Sequence, residues 1–148
     1  MHRLQRRIVL RLIGATLDLP GVPTEHVPWT EAGEVQAIAE LDVGVMPLPD
    51  SPWERGKCGY KLVQYLACGV PVVASPVGVN TKIVQPGRNG FLAATDAEWE
   101  QALTCLADDA ALRRRLGAQG RALVESRYSL QVAAPTLAAW LQELGARR

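Results

Sequence analysis

The chain reads as a parallel α/β domain followed by a helical tail, and three observations carry that reading. Apolar runs alternate with stretches of helical periodicity up to about residue 93. Two of the runs, Val43–Leu48 and Val70–Ala74, lack polar alternation, as strands covered on both faces do. Three amphipathic stretches then follow with no strand between them, so they pack outside the sheet.

Taken in order, the first strand is expected over Arg7–Gly14, after which Pro20, Gly21 and Pro23 punctuate a loop. A short extended piece follows at Glu25–Val27. Thr30 is the expected N-cap of a helix over Glu31–Glu40, with Glu31 and Glu34 in its first turn and Val35, Ile38, Ala39 and Leu41 on one apolar face. The strand Val43–Leu48 leads into a proline-bearing loop, Pro47–Arg55. A helix over Tyr60–Cys68 stops at Gly69, with Pro71 just beyond, and the next buried strand is expected over Val70–Ala74. A turn-rich stretch, Ser75–Asn89, leads to a strand at Gly90–Ala93. Helices are expected near Ala97–Ala107, Ala110–Ser126 and Leu130–Leu144, the last capped by Ser129 and kinked by Pro135.

At 148 residues the chain is long enough for one domain with a real core and too short for two of ordinary size. Its 48% hydrophobic and 21% charged residues exclude disordered and collagen-like classes. A net charge of +1 supplies no overall field to attract nucleic acid, so any anion must be held by a few placed groups. Cys58, Cys68 and Cys105 form no CxxC pair, which argues against a disulfide framework or structural zinc and for a reducing, cytoplasmic setting. The basic start MHRLQRR resembles a leader, but Arg11 interrupts the apolar run behind it. No run approaches the ~18 apolar residues of a membrane span, which leaves peripheral membrane contact open.

Residues 56–80 are the most informative: a glycine-bearing loop, a helix, a glycine stop, a buried strand and a second turn. That order sets free backbone N–H groups at a helix N-terminus beside the C-terminal ends of parallel strands, where anionic ligands bind in open α/β sheets. Lys57 and Lys61 would add positive charge, and Cys58, Gly59 and Tyr60 would offer main-chain donors. Spacing alone equally allows both lysines to be solvated surface charge. His26 reads as structural, Cys68 as a small packing residue, and Glu98, Glu100 and Arg113–Arg115 as a solvated helical face.

The ordered set Leu41–Pro49, Lys61–Ser75, Gly78, Asn89–Leu92, Leu112–Gly117 and Arg127–Ser129 resembles the C-terminal, donor-binding domain of GT-B glycosyltransferases, in the retaining group called family 4 or glycosyl transferases group 1. The resemblance covers about Arg7 to Leu144 and implies a Rossmann-like parallel sheet flanked by helices. It places a donor site on Gly56, Lys57, Cys58, Gly59, Tyr60, Lys61 and Gln64, with the base against Val27, Pro28 and Trp29. Two departures stand out. Where the family carries a ribose-binding glutamate this chain has Gln64, and where it carries a sugar-contacting glutamate this chain has Gly56, with Glu54 two residues upstream. Glu54 and Lys61 are therefore the candidates for a catalytic role.

No Asp-x-Asp occurs, so metal-independent transfer is expected, with a UDP-, GDP- or ADP-linked sugar as co-substrate and no cofactor. The resemblance also implies an acceptor domain, and a first strand–helix unit of the donor domain, upstream of this sequence. The chain is thus expected to be a single partial domain, incomplete at its N-terminus, working with an N-terminal partner domain or chain. Two other functions fit the same residues: a non-catalytic nucleotide or nucleotide-sugar-binding module, favoured by Gly56 and Gln64, and a GT-B-like sugar-nucleotide epimerase fragment.

Overall fold

A computed structural model describes residues 8–146 of the chain. Its strands are β1 (Leu10–Ile13), β2 (Thr24–Val27), β3 (Gly44–Met46), β4 (Val72–Ala74) and β5 (Gly90–Leu92). Between and after them run α1 (Glu34–Ala39), α2 (Pro52–Arg55), α3 (Tyr60–Ala67), α4 (Asn80–Ile83), α5 (Asp96–Asp108), α6 (Ala110–Arg127) and α7 (Leu130–Ala146). Every strand pairing is parallel, as the alternation of strands and helices requires.

Among the described residues the strands form two separate ladders, β1–β2 and β3–β4–β5. Leu10 pairs with Thr24 and Ile13 with Val27 in the first; Gly44 pairs with Val72, and Val72 with Gly90, in the second. No strand pairing joins β1 to β3.

The core lies on both faces of β4, whose alternating side chains separate it into two clusters. Val72 and Ala74 pack with Leu62 and Leu66 of α3, Ile83 of α4 and Val124 of α6. Val73 faces the other way, onto Ala102 and Leu106 of α5 and Leu116 of α6. Helix α6 approaches α3 closely enough that a Cβ on Gly117 would overlap the Gly69 carbonyl, and one on Gly120 would sit 2.5 Å from Leu66 Cδ2. Small residues at these two positions let the helices dock through backbone. Helix α7 packs on α6 and has no buried residue; Leu137, Trp140, Leu141 and Leu144 are exposed.

Several expected boundaries move, each for a local reason. Thr30 does not cap α1: its hydroxyl accepts from Gly33 N–H at 3.0 Å within a turn, and the helix begins at Glu34 with Gly33 as N-cap. Val35 is 67% exposed, because the face that meets α3 is the Glu34–Ile38 face of the short helix, one i,i+4 step long. Ser129 does not cap α7 through its side chain; its hydroxyl donates back to the Glu125 carbonyl at 2.8 Å and finishes α6. Glu98, expected on a solvated face, closes a capping box with Thr95 that starts α5. Pro135 lies inside α7, as expected. The expected strand start at Arg7 falls outside the described residues.

Candidate functional site

The loop from β3 to α3 is shaped by two short elements. Ser51 and Pro52 open α2, and the Ser51 hydroxyl donates to the Glu54 carboxylate, which lies below the ordinary glutamate range chiefly for that reason. Glu54 is thus engaged within its own helix. Arg55 donates to Asp50 at 2.6 and 2.9 Å, closing the other side of the loop. The second turn comes against this loop from β4. Ser75 Oγ accepts from Leu48 N–H at 2.9 Å, Asn80 Nδ2 donates to the Ser75 carbonyl at 3.1 Å, and a Cβ on Gly78 would lie 2.6 Å from the Arg55 carbonyl oxygen.

At the start of α3 the amide supply divides. The N–H groups of Gly56 and Lys57 donate to Trp53 and Glu54 carbonyls at 3.1 Å each. Those of Cys58, Gly59 and Tyr60 find no acceptor among the described residues. Gly59 has φ +70° and is buried against Ile83 and Val79, while Lys57, Cys58 and Tyr60 are exposed. The turn therefore holds unspent donors among exposed residues, with Gly59 as its buried point.

The base-binding candidates stand at the C-terminal ends of β1 and β2. A cavity of about 280 Å³ opens there, lined by Gly14, Ala15, Thr16, His26, Val27 and Pro28. His26 faces it from a position tied down by Ala15 O at 3.4 Å and Asp18 at 3.6 Å. A larger cleft of about 340 Å³ lies near the N-terminal ends of β3 and β4, beside Asp42, Pro71 and Arg113. It is at the opposite end of the larger sheet from the amide turn and touches none of the site residues.

Trp29, Lys61 and Gln64 meet on a residue to which sequence reasoning gave only a helix-dipole role, Glu34. Lys61 Nζ reaches Glu34 Oε1 at 3.2 Å, Gln64 Nε2 donates to Glu34 Oε2 at 2.9 Å, and the Trp29 indole stands near enough to the same carboxylate to favour its ionised form. No local signal points to it, because the contacts of Lys61 and Gln64 with Glu34 span 27 and 30 positions.

The Glu34 carboxyl is held below the ordinary glutamate range, first by the Trp29 indole, then by Lys61, with Gln64 adding to them and burial opposing. A carboxylate depressed in the folded state stabilises the protein above its unfolded pKa, and that contribution is lost as pH falls through the folded one. Trp29 emission, isolated by Trp53→Phe, Trp99→Phe and Trp140→Phe, is expected to hold from neutral pH down through the ordinary glutamate range and to change only below it. A transition centred at or above that range would contradict the cluster.

Parallel strands flanked by helices, with donors gathered at one C-terminal edge, define a Rossmann-like sheet of the GT-B kind. Residues 3–109 match the family described as glycosyl transferases group 1, and the chain belongs to that family. It is 32% identical over 110 residues to the D-inositol 3-phosphate glycosyltransferase of Pseudarthrobacter chlorophenolicus, covering 73% of this chain and 25% of that protein. The chain thus spans about a quarter of the curated relatives it matches. Among solved structures, sucrose-phosphate synthase from Thermosynechococcus elongatus superposes with TM-score 0.74 at 24% identity, over 84% of this chain and 31% of that one. HepE of Anabaena, solved with UDP and glucose, superposes with TM-score 0.66 at 20% identity, over 81% and 32%. At these identities the likeness to the solved structures is one of fold. Among the described residues no helix is long and apolar enough to cross a membrane.

Proposed function

We propose that the chain is the donor-binding half of a glycosyltransferase that takes a nucleotide-diphosphate sugar and transfers the sugar to an acceptor held by a partner domain or chain. The observation that carries this reading is the run of unspent amides at Cys58, Gly59 and Tyr60, followed one residue later by the Lys61 ammonium. Breaking a nucleotide–sugar bond leaves negative charge on the departing diphosphate. Fixed N–H donors and a lysine aimed at that charge lower the barrier, each good donor by about 3 kcal/mol. Lys61 gives one contact to Glu34 and keeps two further protons for phosphate oxygens.

In this reading the base enters the cavity beside Val27 and Pro28, with Trp29 at its margin, and Gln64 meets ribose hydroxyls. The relative solved with UDP and glucose favours a uridine nucleotide. The family resemblance supports transfer with retention, and the absence of an Asp-x-Asp sequence supports metal independence. The setting is cytoplasmic in this reading. A non-catalytic nucleotide-sugar-binding module is the second reading. It is favoured by Gly56, which brings no side chain to the sugar, and by the engagement of Glu54 with Ser51.

Titration of the chain with UDP, GDP, ADP and the matching nucleosides tests the site. Lys61→Ala is expected to weaken the diphosphates about tenfold or more, as loss of a charged hydrogen bond does, while nucleosides bind nearly as before. Equal losses for both would remove Lys61 from the phosphate subsite. Mixing with the upstream domain separates the two readings: sugar transfer supports the transferase, and binding without turnover supports the module.

A further inference from the structure

Gln64 stands where the resembling family carries a carboxylate, and the two groups differ in one respect. A carboxylate offers only acceptors, whereas a glutamine amide offers an oxygen on one side and two N–H donors on the other. Without a neighbour to fix it, the amide would present either side to a ligand. Here a neighbour is present. Gln64 Nε2 donates to Glu34 Oε2 at 2.9 Å, and an ionised carboxylate accepts only, so the nitrogen must be the atom that faces Glu34. The oxygen, Oε1, is left on the other side of the amide, buried and without any donor among the described residues. Buried polar atoms are almost always paired, and this unpaired acceptor sits one helical turn from the amide-bearing start of α3.

We propose that Glu34 is a positioning residue that locks the Gln64 amide with its oxygen turned to the ligand, so that a neutral side chain accepts from a ribose hydroxyl as a carboxylate would. The carboxylate can hold this role because it is itself anchored by Lys61. Lys61 and Trp29 lie at the surface, with 45% of the Lys61 side chain and 54% of Trp29 exposed, so the cluster borders solvent. The inference rests on the donor-half reading and adds to it the device that replaces the missing charge.

The test uses the whole chain and whichever of UDP, GDP and ADP binds best, paired with its 2′-deoxy and 3′-deoxy counterparts, in calorimetric titrations. The unaltered chain is expected to favour the ribonucleotide over at least one deoxy form by about tenfold, as loss of a hydrogen bond from a buried acceptor implies. Glu34→Gln frees the amide to turn and should bring that ratio close to one, whatever the change in affinity common to ribo and deoxy forms. Adding Gln64→Glu to Glu34→Gln exchanges the two groups and should restore the preference, which a merely structural role for Glu34 would not produce. A preference that persists in Glu34→Gln overturns the inference. So does an unaltered chain that binds ribo and both deoxy forms alike, a result readable even if the variants do not fold, and one that leaves the donor-half reading standing. Failure of every nucleoside diphosphate to bind overturns that reading and the inference with it.

Discussion

Gly59→Ala is expected to lower the unfolding free energy by about 3 kcal/mol, measured by urea denaturation. Two costs combine. The backbone at this position has φ +70°, a left-handed conformation that costs a side-chain-bearing residue about 1–2 kcal/mol. The added Cβ would also lie 2.5 Å from Ile83 Cδ1 and 3.0 Å from Val79 Cγ1, and overpacking of that kind costs about 1–3 kcal/mol. Relief requires the turn to lift away from α4. That displaces the amides of Cys58, Gly59 and Tyr60, so the molecules that do fold should also bind nucleoside diphosphates more weakly. A variant with parental stability would show that the turn is not seated as described.

Leu66→Ala is expected to cost a similar amount, about 3 kcal/mol within the 2–5 kcal/mol span of such truncations. Leu66 is fully buried in the cluster with Val72, Ile83 and Val124, and its Cδ2 fills the space left by Gly120 of α6. Because α6 docks here through Gly120, it has no side chain at that point to move into the hole. Leu66 lies at the far end of α3 from Gly59, so affinity per folded molecule should stay at the parental value. The pair therefore separates two kinds of damage: Gly59→Ala injures fold and site, Leu66→Ala the fold alone. Weakened nucleotide binding by folded Leu66→Ala would show that the two ends of α3 are coupled.

The parts of this chain that were legible in its sequence are those set by near neighbours. Helix α3 begins at Tyr60 and ends at Ala67, two residues before Gly69, because its apolar spacing and its glycine stop are both written locally. Strands β4 and β5 and the three C-terminal helices are legible for the same reason. Helices α2 and α4 are not: four residues make one turn, too short to show a period, and prolines or glycines surround both. The amide turn was legible as a candidate site from its glycines and lysines. The meeting of Lys61 and Gln64 on Glu34 was not, because it joins residues 27 and 30 positions apart. Such a contact comes from the packing of α1 on α3 and leaves no local pattern.

The two ladders give this site an uneven mechanical footing. The cavity beside Val27 rides on β1–β2 and the amide turn on β3–β4–β5, and no strand-to-strand bond ties one carrier to the other. The link is α1, stitched to β1 by the Arg11–Glu40 ion pair at 2.8 Å and to α3 by Glu34. One short helix thus serves as a coupling rod between the cavity and the amide turn, and the spacing between them is governed by side-chain tethers in place of a rigid lattice.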